Sequence, residues 1–201
     1  IDSLNGEIIL GRGATGSTTD IAKTAAPMRA SIFKSNEGNL YLLARKITIQ
    51  PFERLAVRDG SFANNAAITD VLRKTRSTGG RLHLLGLLSD GGVHSTETHY
   101  FALLELAKRH GLGRDQVFFH AALDGRDTPP TSGINYIRKL AEKMDEIGVG
   151  RIATISGRYY LMDRDKRWER LVLAYNALTS GIGAQAADPV QAVTDAYQRG
   201  E

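Results

Sequence analysis

The chain has 201 residues, 42% of them hydrophobic, and its 26 basic and 22 acidic residues leave a net charge of +4. That is apolar content enough for a core and too slight a charge excess for a basic tail or stripe, so nucleic acid is not the expected partner. The lack of cysteine excludes disulfides, thiolate catalysis and sulfur-ligated zinc; no run approaches the roughly 18 apolar residues of a membrane span or the layout of a signal peptide, so no membrane is expected and the cytoplasm is the expected address.

Residues 1–42 mix Gly, Ser, Thr and Ala with two short apolar pieces, Glu7 to Leu10 and Leu40 to Leu43, and show no sustained period. They are expected to be an unassigned segment, either disordered or a remnant of another domain. Gly11-Arg-Gly-Ala-Thr-Gly16 is a G-x-G-x-x-G, flanked by strand-like Glu7 to Leu10 and helix-like Ser17 to Ala26, with Glu37 near the spacing of a ribose-binding acid. That pattern carries one rival reading, a dinucleotide-binding domain, but a lone fingerprint is weak and its second strand would be only Ser31 to Phe33. Residues 43–80 read as a linker with a lead-in helix: Ala66 to Arg76 puts Ile68, Val71 and Leu72 on one face, and Thr78-Gly79-Gly80 stops it.

From Arg81 the pattern becomes regular, an apolar run, a Gly-rich or polar loop, then an amphipathic helix, which is the signature of βαβ units. Strands are expected at His83 to Leu88, Val117 to Leu123 and Ile152 to Ser156, each apolar enough for burial on both faces. Ser95 or Thr96 caps a helix to Arg109, Ser132 caps one carrying Ile134, Ile137, Leu140, Met144 and Ile147, and a third follows Arg167 with Trp168, Leu171, Val172, Tyr175 and Leu178 as its packing face. Asp188-Pro189 opens a last helix to about Gln198. Residues 81–201 are therefore expected to form an α/β domain ending in a helical linker. The architecture expected is a three-layer sandwich, with a mainly parallel central sheet and helices on both faces.

Each strand is followed by a chemically rich loop: Ser89-Asp-Gly-Gly-Val-His-Ser95, Asp124-Gly-Arg-Asp-Thr-Pro-Pro130, and Gly157 to Arg167. Right-handed crossovers between parallel strands bring such loops together at the carboxyl edge of the sheet, where open α/β folds bind ligands. Arg126, Arg158, Arg164 and Arg167 can clamp a phosphate and a carboxylate, Asp127 can accept a proton from a substrate hydroxyl, and His94 can donate to a phosphate oxygen. Blander readings stand beside these. A loop arginine is most often a solvated charge, Asp124 and Asp127 can simply build an Asx-type turn before the prolines, and His83 and His120 read as hydrogen-bonded core histidines. Tyr159, Tyr160 and Trp168 read as walls and core. Asp90, His94 and His99 make a poor metal set, because His99 falls a full helical turn beyond the loop.

On SDGGVHS at 89–95, DGRDTPP at 124–130 and GRYYLMDRDKRW at 157–168 the chain resembles the cofactor-independent (2,3-bisphosphoglycerate-independent) phosphoglycerate mutases, and the similarity runs from about Arg45 to the end. The resemblance implies that residues 81–201 are an α/β substrate-binding domain inserted into an alkaline-phosphatase-like domain, in a monomeric glycolytic isomerase that interconverts 3-phosphoglycerate and 2-phosphoglycerate through a phosphoserine. It implies His94, Arg126, Asp127, Arg158 and Arg164 as substrate contacts, with Asp127 the proton acceptor. It also implies two manganese ions in the full-length enzyme. No nucleophilic-serine or Asp-Gly metal motif occurs in residues 1–50, so this chain by itself is expected to bind neither metal and to be inactive as a mutase. The reading from a different class is a non-catalytic module that binds phosphorylated metabolites.

Overall fold

The structure, a computed structural model, describes residues 2–10, 28–34, 40–46 and 56–201; the glycine fingerprint at 11–16, the helix expected at 17–26 and Glu37 lie outside the described residues. Six strands, β1 (Asp2–Leu10), β2 (Met28–Lys34), β3 (Leu40–Lys46), β4 (Leu82–Leu88), β5 (Val117–Leu123) and β6 (Arg151–Gly157), form one sheet in that order. β1 to β3 pair antiparallel, and β3 to β6 pair parallel. The helices are α1 (Ala66–Thr78), α2 (Glu97–Arg109), α3 (Gly133–Ile147), α4 (Arg158–Leu161), α5 (Trp168–Ser180) and α6 (Pro189–Gln198). The fold is thus α/β with a mainly parallel sheet.

Side-chain caps and apolar stripes agree at α1 and α6, whereas α2 starts at Thr96 without the cap hydrogen bond expected of Ser95 or Thr96. Asn65 accepts from the Ile68 amide at 3.1 Å to start α1, and Gly79, at φ 65°, ends it in the left-handed region. Ile68, Val71 and Leu72 of α1 and Ile137, Leu140 and Met144 of α3 fall at helical spacing and are buried. They share one core with Leu82 and Leu84 of β4 and with Val117 and Phe119 of β5, which pair Leu82 to Val117 and Leu84 to Phe119. Burying each such side chain stabilises the fold by about 1.5–3 kcal/mol. Strand alternation sends His83, Phe118 and His120 to the opposite face of the sheet. There His83 Nδ1 lies 2.9 Å from His120 Nε2, and His120 Nδ1 lies 2.9 Å from Thr154 Oγ1, the hydrogen-bonded role expected of strand histidines.

Four local expectations are corrected. Ser132 precedes α3 but does not cap it, because its backbone is already helical (φ −74°, ψ −14°) and its hydroxyl turns back to the Pro129 carbonyl at 2.7 Å. β6 is not buried on both faces: it ends the sheet order, with Arg151 and Ala153 exposed. Arg158 to Leu161, read as loop, coil into α4, a single turn too short to show a period in sequence. Trp168, Val172 and Tyr175 are not a packed face but are 67%, 44% and 53% exposed, and Tyr159 is 58% exposed. α5 instead buries Ala174, so helical spacing identified a stripe without deciding which side would be covered.

Candidate anion site at the carboxyl edge of the sheet

The register of the three central strands builds the site. Leu88 pairs with Leu123, and Leu123 pairs with Gly157, so the residues one step beyond each strand, Ser89, Asp124 and Arg158, lie side by side at the carboxyl edge. Ser89 Oγ donates to Asp124 Oδ2 at 2.7 Å, and Arg158 Nη1 donates to Asp124 Oδ1 at 2.7 Å. The same Nη1 donates to Asp127 Oδ2 at 2.6 Å, and His94 Nε2 stands 3.7 Å from that oxygen. Four of the five elements of this network belong to loops, but the strands below them fix their spacing.

Local turns complete the arrangement. Asp124 Oδ1 accepts from the amides of Arg126 at 3.2 Å and Asp127 at 3.0 Å, the Asx-type turn that the sequence allowed. Gly125, at φ 75°, takes a conformation that a side chain would strain, and a Cβ there would lie 3.2 Å from the Pro130 carbonyl oxygen. Gly91 lets the first loop pass close to the second, since a Cβ on it would stand 3.2 Å from the Asp127 carbonyl oxygen and 3.3 Å from Thr128 Cγ2.

Burial grades the charged groups. The Asp124 side chain is fully buried, those of Arg158 and Asp127 are 14% and 15% exposed, and that of His94 is 33% exposed. Burial alone would raise the Asp124 carboxyl, but donation from the Asp127 amide, the Ser89 hydroxyl, Arg158 and the Arg126 amide outweighs it and holds the group below the usual carboxylate range. For Arg158 burial opposes the charge, and the Asp127 and Asp124 carboxylates outweigh it, so the guanidinium is held more firmly protonated than usual. A fixed guanidinium with a partly open face, next to an imidazole, suits a phosphate or carboxylate.

Of the five expected site residues, the structure joins His94, Asp127 and Arg158 directly. Arg126 and Arg164 are exposed, and among the described residues neither guanidinium is hydrogen-bonded or ion-paired to the other three. Sequence reasoning left Ser89 out and gave Asp124 only a turn. Their position immediately after matched apolar runs was the signal that could have found them.

Residues 54–201 match the family described as BPG-independent PGAM N-terminus, about three quarters of the chain and all three loops. The chain belongs to this family. Among BPG-independent PGAM relatives, the 2,3-bisphosphoglycerate-independent phosphoglycerate mutase of Moorella thermoacetica is 51% identical over 167 residues, 82% of this chain and 32% of that protein. The enzyme of the same name from Thermomicrobium roseum is 50% identical over 168 residues, 83% of this chain and 32% of its own length. A crystal structure of Leishmania mexicana phosphoglycerate mutase at low cobalt concentration superposes with a TM-score of 0.65 at 29% identity, covering 73% of this chain and 27% of the other. The chain thus spans about a third of the length of the curated relatives it matches.

The BPG-independent PGAM resemblance implies manganese, and the described residues do not fit it. Among the described residues no group of three or more His, Asp and Glu side chains could hold a metal ion, so no chemical step is assigned to one here. Nor is any described helix long and apolar enough to cross a membrane.

Proposed function

We propose that this chain is the substrate-binding part of a 2,3-bisphosphoglycerate-independent phosphoglycerate mutase, an isomerase that interconverts 3-phosphoglycerate and 2-phosphoglycerate. Residues 81–201 form its α/β unit. Arg158, Arg126 and Arg164 hold the phosphate and carboxylate of the ligand, His94 donates to a phosphate oxygen, and Asp127 accepts the proton of the receiving hydroxyl. A small phosphorylated acid of the cytoplasm is the partner this assigns. The observation that supports the reading is the Arg158 side chain, 14% exposed, with its guanidinium fixed between Asp124 and Asp127, which His94 also approaches, all within the family match.

The test is a backbone-amide NMR titration with 3-phosphoglycerate, with inorganic phosphate and NAD as comparison ligands. Shifts are expected around His94, Arg126 to Asp127 and Arg158 to Arg164, larger for 3-phosphoglycerate than for phosphate. Arg126→Ala and Arg158→Ala should each weaken binding by about 1.5–3 kcal/mol, the worth of a hydrogen bond to a charged group. Unchanged binding in both variants would remove the site.

A further inference from the structure

We infer that the two carboxylates on Arg158 have different jobs: Asp124, positioned by Ser89, is its permanent counter-ion, and Asp127 is an exchangeable one that a ligand anion displaces. This rests on the anion-binding reading given above and adds to it two positioning residues, Ser89 and Asp124.

The asymmetry is in the surroundings. Asp124 is fully buried and takes four donors: the Ser89 hydroxyl, the Arg126 and Asp127 amides, and Arg158. Ser89 is itself 1% exposed, and its Oγ also accepts from the Gly91 amide at 3.0 Å, so the hydroxyl is oriented from both sides. Pulling Arg158 off Asp124 would leave a charge buried without its cation, which is far costlier than exposing one. Asp127 takes one guanidinium nitrogen, is 15% exposed, and has His94 3.7 Å away as an alternative neighbour. An incoming phosphate oxygen that competes for Arg158 therefore exchanges with Asp127, while Asp124 keeps the guanidinium in the site. The exchange also releases Asp127 from its ion pair just when a ligand hydroxyl arrives. An unpaired carboxylate is a better proton acceptor than one bound to a guanidinium.

Two NMR measurements on the full chain test this. Without ligand, the Arg158 side chain should show slow guanidinium rotation in the wild type and in Asp127→Asn, and fast rotation in Asp124→Asn. With inorganic phosphate, carboxyl-13C resonances should move at Asp127 and stay in place at Asp124. The inference is overturned if Asp127→Asn loosens Arg158 as much as Asp124→Asn does, or if phosphate moves the two carboxyls alike. Should Asp124→Asn fail to fold, Ser89→Ala replaces it, with faster Arg158 rotation than wild type expected and wild-type rotation overturning the role of Ser89. If phosphate moves neither carboxyl, the anion-binding reading and the exchange both fall, and the ligand-free comparison still decides whether Asp124 is the anchor.

Discussion

The Tyr136 hydroxyl on α3 donates to Asp90 Oδ1 at 2.5 Å, tying the loop after β4 to the helix after β5. Tyr136 is 7% exposed and Asp90 lies four residues before His94, so a core side chain restrains the loop that carries the imidazole.

Tyr136→Phe should cost about 1.5–3 kcal/mol, as expected for a hydrogen bond to a charged acceptor, and speed amide hydrogen exchange in residues 91–95. Burial first and the Asp90 hydrogen bond second raise the tyrosine's pKa. Its contribution is therefore complete below the ordinary value near 10 and is lost as pH rises through the higher folded value, so wild type and Tyr136→Phe should converge in alkaline denaturation.

At Asp124 the sign is reversed. Its folded pKa lies below the unfolded value of about 3.9, so its contribution is complete above that value and disappears as pH falls through the folded one. Asp124→Asn should lose about 1.5–3 kcal/mol at pH 7, because Arg158 loses one of its two carboxylates while Asp127 remains, and its stability should depend less on pH below about 4. Urea unfolding at pH 7 and pH 3 gives both quantities.

His83 and His120 govern a separate pH window. Burial lowers both to about 4, with Arg81 adding to the effect at His83 and His83 adding to it at His120. The unfolded chain, with histidines near 6.5, binds more protons than the folded one between those values. Stability is then full above about 6.5 and falls toward pH 4, by up to about 1.4 kcal/mol per pH unit per histidine. His120→Gln, which keeps a polar group facing Thr154, should flatten the dependence between pH 6.5 and 4 in thermal or urea melts.

Gly133 begins α3 under the hydroxyl of Tyr197, and a Cβ there would sit 2.6 Å from Tyr197 Oη and 3.2 Å and 3.3 Å from the Leu123 methyls. Gly133→Ala should cost about 1–3 kcal/mol through overpacking. In a Tyr197→Phe background the same change should cost less, since the nearest atom is gone, and a double-mutant cycle of melting free energies measures the difference. Equal costs in the two backgrounds would show that the Leu123 contact dominates.

The sequence by itself determined the elements from Ala66 onward and their order, apart from the single turn of α4. Helical stripes such as Ile137, Leu140 and Met144, apolar runs such as Val117 to Leu123, and caps such as Asp188, which accepts from the Val190 and Gln191 amides, are short-range signals. It also determined the type of chemistry, since arginines and a carboxylate recur in the loops that parallel strands gather at one edge. Of β1 to β3 only the pieces Glu7 to Leu10 and Ser31 to Phe33 were legible, and their extent and pairing were not, because a strand without alternation is specified by its partners more than by its own residues. Only the tertiary structure decided which site residues touch. Ser89, Asp124, Asp127 and Arg158 meet across 31 to 35 residues of chain, through a register set by the pairing of Leu88, Leu123 and Gly157. It likewise left Trp168 and Tyr175 exposed and joined His83 to His120. Period and capping are properties of a few neighbouring residues, whereas register and burial are fixed only when distant segments pack.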